Sequence, residues 1–226
     1  MDFRSELKHY INYQDYLIIK SKISNFLTLD KNVYKDSFEY KIRSIYFDNF
    51  NNKVLEEKLL GLNKRDKFRI RLYNDDDSFI RLEKKSKING LCKKISEPIT
   101  KDEVLKIINN DIEFLIKSQK QLFQDLYIKM KTEFLKPKTI VDYEREAYIY
   151  KIGNVRITFD KNLRTGIVSN DIFNKELCTI SPINKDYIVL EVKYDEFLPE
   201  FILNLIQLGE RSKTSISKYA LCRMYG

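Results

Sequence analysis

Charges in this chain recur two residues apart. Glu6 and Lys8, Arg69 and Arg71, Glu83 and Lys85, and Glu191 and Lys193 all follow that spacing. In a β-strand, residues i and i+2 project from one face, so each pair projects together. Leu7, Ile70 and Val192 stand between such pairs and take the opposite face. A sheet of strands like these has one charged face and one apolar face. Left open, it would place the charged face in bulk water. Rolled up, it would line an interior space with cations and a few carboxylates, and helices could cover the apolar outside. The second arrangement is the expectation: an α+β fold in which an antiparallel β-barrel tunnel of about eight strands has helices packed outside it.

Composition permits this. The 226 residues suffice for one large domain or two small ones, and residues 1–226 read as a single domain. Hydrophobic residues at 43% support a core, with Tyr and Phe supplying its bulk. The formal charge of +8 favours an acidic partner: nucleic acid, an anionic membrane surface or a phosphate-rich small molecule. A proteome rich in Lys, Asn and Ile would produce the same charge with no partner at all. Cys92, Cys178 and Cys222 are far apart and form no CxxC or zinc-type spacing, so they read as free thiols in a reducing compartment. The first ten residues are charged and alternating, unlike a signal peptide. No run approaches the ~18 apolar residues of a membrane span. The expected location is the cytoplasm, at the inner face of a membrane if a membrane-protein partner tethers the chain there.

Local patterns supply the elements. Residues 3–11, 40–48, 67–73, 79–86, 91–96, 138–150, 154–160 and 187–194 read as strands, and short connections argue for antiparallel pairing. Asn89-Gly90 signals a tight hairpin turn, and 74–78 a longer hairpin loop. Helical spacing occupies 14–29, where Asp15 could cap the start, and also 51–60 and 199–208. Thr100 with Glu103 forms a capping box ahead of another helix. Residues 114–134 read as one longer mixed helix, and 213–224 as a last helix or an irregular end.

Among the charges, Arg69 and Arg71 are the sharpest signal. Two guanidiniums side by side repel unless an anion sits between them, and their forks suit phosphate oxygens. A lone pair of this kind is more often a solvated face, but here it has company. Arg81, Glu83, Lys85 and Lys87 share a face on one strand, as do Arg156, Thr158 and Asp160 on another. Lys93 or Lys94 adds a cation after Asn89-Gly90, and Lys218 stands near the C-terminus. Glu191 lies between Leu190 and Val192, where a carboxylate is costly unless paired or bound to metal. An ion pair with Lys193 is the plain alternative, while hard oxygen ligands would favour Mg²⁺ or Mn²⁺. His9 reads as a packing or surface residue. No P-loop or GxGxxG fingerprint occurs.

Seven segments in order then form a pattern: RSELKHY at 4–10, IRSIYFD at 42–48, KFRIR at 67–71, LEKKSK at 82–87, RITFD at 156–160, LEVK at 190–193 and SKY at 217–219. Together they resemble the VTC domain, the catalytic domain of the vacuolar transporter chaperone polyphosphate polymerases. That family belongs to the triphosphate tunnel metalloenzymes, relatives of the CYTH phosphatases and cyclases. The resemblance implies a tunnel of antiparallel strands gripping a nucleotide triphosphate tail or a polyphosphate chain. By similarity Lys8, Arg69, Arg71, Lys85 and Lys218 would act on the phosphates in catalysis, with Lys94, Arg145 and Arg156 as further phosphate ligands. Arg43, Lys87 and Lys193 extend the phosphate-binding set. Glu191 would hold Mn²⁺ or Mg²⁺, joined by Glu83 and Glu6. The first strand departs from the wider superfamily. It has ExK where many relatives have ExExK, and Arg4 stands at the position of the first Glu. That departure favours the polymerase branch.

The function implied is transfer of the ATP γ-phosphate to a growing inorganic polyphosphate chain. A metal-dependent tri- or polyphosphatase differs only in using water as acceptor, and a non-catalytic polyphosphate-binding module needs no acceptor. Nucleic acid is disfavoured as a partner, because Phe47, Phe68 and Phe159 alternate with the charges and so point away from the cationic face.

Overall fold

A computed structural model describes residues 3–30, 38–207 and 215–225. In chain order the elements are β1 (Ser5–Ile11), α1 (Tyr13–Ile23), β2 (Thr28–Leu29), β3 (Tyr40–Asp48), α2 (Lys53–Leu59), β4 (Lys64–Tyr73), β5 (Asp76–Ile88) and β6 (Leu91–Pro98). There follow α3 (Lys101–Ile108), α4 (Glu113–Lys117), α5 (Gln121–Thr132), β7 (Lys136–Tyr150), β8 (Val155–Thr165), β9 (Ile188–Tyr194), α6 (Glu200–Ile206) and α7 (Lys218–Tyr225). The sheet runs β1-β9-β8-β7-β3-β4-β5-β6, with β2 attached to β7. Every pairing is antiparallel.

The sheet rolls until its ends meet. No continuous ladder joins β1 to β6. A single bridge does, in which Arg4 and Cys92 exchange backbone hydrogen bonds of 3.0 and 3.1 Å. The expected barrel is therefore a rolled sheet with a seam, and side chains complete the closure: Lys85 on β5 reaches Glu6 on β1 at 2.8 Å.

Apolar side chains lie on the outside of the roll, in two cores. Ile45, Phe47, Phe68, Ile70 and Leu82 pack beneath α2, α3, α5 and α7. Ile157, Phe159, Leu190 and Val192 pack beneath α1 and α6. The predicted alternation thus holds, with helices covering the apolar face.

Turn chemistry sets the hairpins. Asn89 and Gly90 both have positive φ, as the two-residue turn requires. The β4–β5 connection is tighter than the expected loop at 74–78: Asn74 and Asp75 alone form it, both left-handed. The segment 14–29 is helical only to Ile23, and its cap is Asn12, with Asp15 closing the capping box from the third position. Thr28 and Leu29 then pair with β7 instead of extending the helix. The stretch 114–134 divides into α4 and α5 because Ser118 is extended (ψ 142°). β8 runs five residues past the expected end at Asp160. Of the proposed segment 213–224, residues 213 and 214 lie outside the described residues, as does the last residue of 199–208.

Two buried carboxylates fasten helices to the roll. Asp48 at the end of β3 accepts from the amides of Val54 and Leu55 in the first turn of α2, and also from the Tyr219 hydroxyl of α7. It therefore fixes the start of α7, which carries Lys218. Glu146 on β7 is fully buried and accepts from the hydroxyls of Tyr16 (2.7 Å) and Tyr148 (2.6 Å), with Lys20 at 2.8 Å. Removing it strands two phenols and an ammonium, so Glu146→Ala should cost about 3 kcal/mol. Urea unfolding measures this, and an unchanged midpoint would contradict the assignment of Glu146 as the anchor of α1.

Candidate functional site

The inner face of the roll encloses a cavity of about 730 Å³. All eight strands of the continuous order contribute to its wall, and α2 and the start of α7 add Lys58, Ser217 and Lys218. Among the described residues, fifteen Lys and Arg side chains line it, against Glu6, Glu191 and Asp195.

Strand register explains who faces whom. Arg69 pairs with Glu83 and with Tyr46, Ser44 with Arg71, Lys85 with Lys94, Glu191 with Lys8 and Thr158, and Arg156 with Lys193. The sequence-predicted residues Lys8, Arg69, Arg71, Lys85, Lys87, Lys94, Arg145, Arg156, Lys193 and Lys218 all lie on the wall, together with Glu6 and Glu191. Lys94 faces inward and pairs with Glu83 at 2.8 Å; its neighbour Lys93 reaches the wall beside Phe3.

Two expected residues fall elsewhere. Arg43 occupies the outer face of β3, because its neighbours Ser44 and Ile42 take the inner one; it grips Asp142 through Nε (2.9 Å) and Nη2 (2.7 Å) and is 2% exposed. It is a structural cation, not part of the cavity. Glu83 is 1% exposed and absent from the wall, held between Arg69 (2.6 Å) and Lys94 (2.8 Å). Burial would raise its pKa, yet Arg69, Arg71 and Lys94 hold it far below the usual carboxylate range. Its charge is already spent on those partners.

The cations divide into those with an acid and those without. Arg145 grips Asp160 through two bonds (2.6 and 2.8 Å), and Lys218 pairs with the same carboxylate. Burial would raise Asp160, and these two cations bring it down to about 2. Arg156 meets Asp30 at 2.5 Å and the Tyr40 hydroxyl at 3.0 Å. Arg71 has no such partner among the described residues. It is 4% exposed and donates only to Ser44 Oγ (3.0 Å) and the Tyr143 hydroxyl (2.9 Å). Lys67 likewise finds only Ser217 Oγ, at 3.2 Å. Burial, with Lys85, Lys8 and Arg69 nearby, pushes its pKa well below the ordinary lysine value. Buried cations left without counterions are costly, and a bound polyanion would relieve that cost.

Lys67 is the cation that strand parity points to and the motif reading leaves out: it stands two residues before Arg69 on the same face. The tyrosines Tyr40, Tyr46, Tyr73 and Tyr143 also line the cavity. Arg69 donates to the Tyr46 hydroxyl at 2.8 Å. Burial alone would raise that phenol, but Arg69 and Arg71 lower it.

Glu6 and Glu191 form a carboxylate pair. Lys8 lies 3.2 Å from one and 3.9 Å from the other, and Lys193 4.0 and 2.6 Å. Burial brings Lys193 down to about 8, although both carboxylates pull the other way. Across the ladder from Glu191, Thr158 is 2% exposed and its Oγ1 has no hydrogen-bond partner. Two carboxylates and an unsatisfied hydroxyl are hard oxygen donors. They fit a Mg²⁺ or Mn²⁺ ion that takes its remaining ligands from phosphate and water. Among the described residues no group of three or more His, Cys, Asp or Glu is placed to hold a metal without such help.

The VTC domain family matches residues 3–225. The chain is a member of the VTC-domain family. Its fold recurs in solved structures of low identity. A protein of Pyrococcus horikoshii aligns with TM-score 0.51 at 15% identity, covering 97% of this chain and 99% of that one. A candidate adenylate cyclase of Bacillus halodurans aligns with TM-score 0.50 at 15% identity, covering 91% and 87%. A candidate adenylate cyclase of Vibrio parahaemolyticus aligns with TM-score 0.50 at 10% identity, covering 97% of each chain. These likenesses establish the shared tunnel fold. A comparison with curated protein sequences finds no match. Among the described residues of this VTC domain, no helix is long and apolar enough to cross a membrane.

Paired and unpaired cations should respond differently to neutralisation. Arg69→Met leaves the buried Glu83 with Lys94 as its one ion pair among the described residues and should cost about 3 kcal/mol. Lys67→Met removes a charge that burial disfavours and no acid pairs, so it should hold or raise stability at pH 7, while Arg71→Met, whose charge has Glu83 only at longer range, should cost less than Arg69→Met. The Lys67→Met gain should shrink as pH rises toward about 10.4, where the unfolded chain's lysine also loses its proton. Urea melts of the three variants check this, and equal losses in all three would contradict it.

Proposed function

We propose that this VTC domain is an ATP-dependent polyphosphate polymerase. The observation that carries the reading is the charge of the wall: among the described residues, fifteen cations stand against three carboxylates, and Arg71 and Lys67 have no ion-pair partner. A cavity of that kind suits a linear string of condensed phosphates. It suits phosphoryl transfer too, which needs positioning and charge neutralisation more than covalent help from the protein. VTC and CYTH domains are generally enzymatic, as phosphotransferases or hydrolases.

In the proposed reaction the bond between the γ-phosphorus and its bridging oxygen breaks, and ADP leaves with that oxygen. A terminal oxygen of the polyphosphate chain forms the new bond to phosphorus. Arg69, Arg71 and Lys67 on one strand, with Arg145 and Lys218 opposite, grip the phosphoryl oxygens and stabilise their charge. Lys85, Lys87, Lys94, Arg156 and Lys193 hold the rest of the chain. Glu6 and Glu191 would hold Mn²⁺ or Mg²⁺, which supplies further neutralisation of phosphate oxygens. The first strand offers one carboxylate, Glu6, since the position two residues before it is Arg4, which pairs with Asp195 at 2.7 Å. That supports a single metal and the polymerase branch. ATP and inorganic polyphosphate are the proposed partners, and nucleic acid is not.

Incubation with ATP and Mn²⁺ followed by gel electrophoresis tests the reading. A ladder of long phosphate chains is expected. Free phosphate alone would make the protein a hydrolase, and neither product would leave a binding module. Arg71→Met should reduce turnover roughly 10²–10³-fold while the protein stays folded, by the scale of other electrostatic stabilisers. Full turnover in that variant would contradict the assigned grip.

A further inference from the structure

The carboxylate pair assigned to metal is already occupied by the protein's own cations. Glu6 has Lys85 at 2.8 Å and Lys8 at 3.2 Å. Glu191 has Lys193 at 2.6 Å, Arg145 at 3.8 Å, Lys8 at 3.9 Å and Lys218 at 4.0 Å. Even counting Asp160, which shares Arg145 and Lys218, five cations face three carboxylates. A divalent ion approaching alone meets a net positive field, which repels it strongly in a cavity poorly screened by water. A chain of phosphates reverses the sign. It also competes for the same ammonium groups, because Lys8, Lys85 and Lys193 lie on the wall where the phosphates would run.

We propose that Lys193 and Lys8 act as a cationic lock on the Glu6–Glu191 pair, so that the tunnel admits a divalent metal only after a polyphosphate. The lock rests on the functional reading above, and it adds an order of binding to it. Lys193 is the key member, since its ammonium sits closest to Glu191 and also reaches Glu6. Condensed phosphate draws the ammonium groups off the carboxylates, and the freed oxygens, with the unpartnered Thr158 hydroxyl beside them, become available to the ion. Metal without polyphosphate is excluded, so the ion cannot reside in an empty tunnel.

The test uses Mn²⁺ alone, followed by electron paramagnetic resonance of the free ion, on the full chain with no phosphate present. The wild type should show no saturable binding into the millimolar range. Lys193→Met should bind Mn²⁺ at least tenfold more tightly, and adding Glu191→Gln should abolish the gain. Should Lys193→Met fail to fold, Lys8→Met serves in its place, since Lys193 and Lys218 still neutralise Glu191. Tight Mn²⁺ binding by the wild type, or no gain in the lysine variants, overturns the lock. A parallel titration of the wild type with tripolyphosphate in chelator separates the two ideas. Binding there supports the order proposed, and its absence overturns the functional reading whatever the metal arms show.

Discussion

Alternation of charged and apolar residues along the same strands is the constraint from which the rest of the structure follows. Such strands cannot bury both faces in one hydrophobic core. The chain answers by rolling the sheet, turning the charges inward and clothing the apolar outside with helices. Phe68 and Ile70 pack under helices while Lys67, Arg69 and Arg71, their immediate neighbours, enter the cavity. The core therefore lies outside the barrel in two pieces, and the centre is left for a ligand. Asp48 and Glu146 matter because they hold the helices in place over that shell.

Inside, the protein neutralises only part of its own charge. Arg69, Arg145 and Lys218 rest on buried acids, which orient them and make their presence tolerable without ligand. Arg71 and Lys67 have hydroxyl partners instead. The first group is pre-organised and the second is waiting for charge. A catalyst that works by electrostatic stabilisation needs both: fixed donors that do not reorganise, and an unmet positive field to draw the substrate in.

Strand parity made most of this legible in advance. Joined by the family resemblance, which supplied Lys94, Arg145 and the helical Lys218, it named ten of the cations on the cavity wall, and it identified the faces that helices would cover. What it could not supply is the identity of each partner. Glu83 obeys the same parity as Lys85, yet cross-strand register sets it against Arg69 and Lys94 and leaves it no free charge. Arg43 lies in a segment whose alternation is blurred by the run Ser44-Ile45-Tyr46-Phe47, and only the pairing with Asp142 shows which way it points. Lys67 stands two residues before Arg69 on the same face, and only the cavity wall distinguishes it from the chain's other lysines. The break at Ser118, the short strand at Thr28 and the seam between β1 and β6 depend on tertiary contacts that no local pattern carries.

A crystal structure of the protein with bound tripolyphosphate tests the central claim most directly. The account predicts the three phosphates threaded through the cavity, with oxygens on Arg71 and Lys67, whose partners among the described residues are hydroxyls and not acids. Phosphates bound only on the outer surface, beside a cavity holding nothing but water, would contradict it.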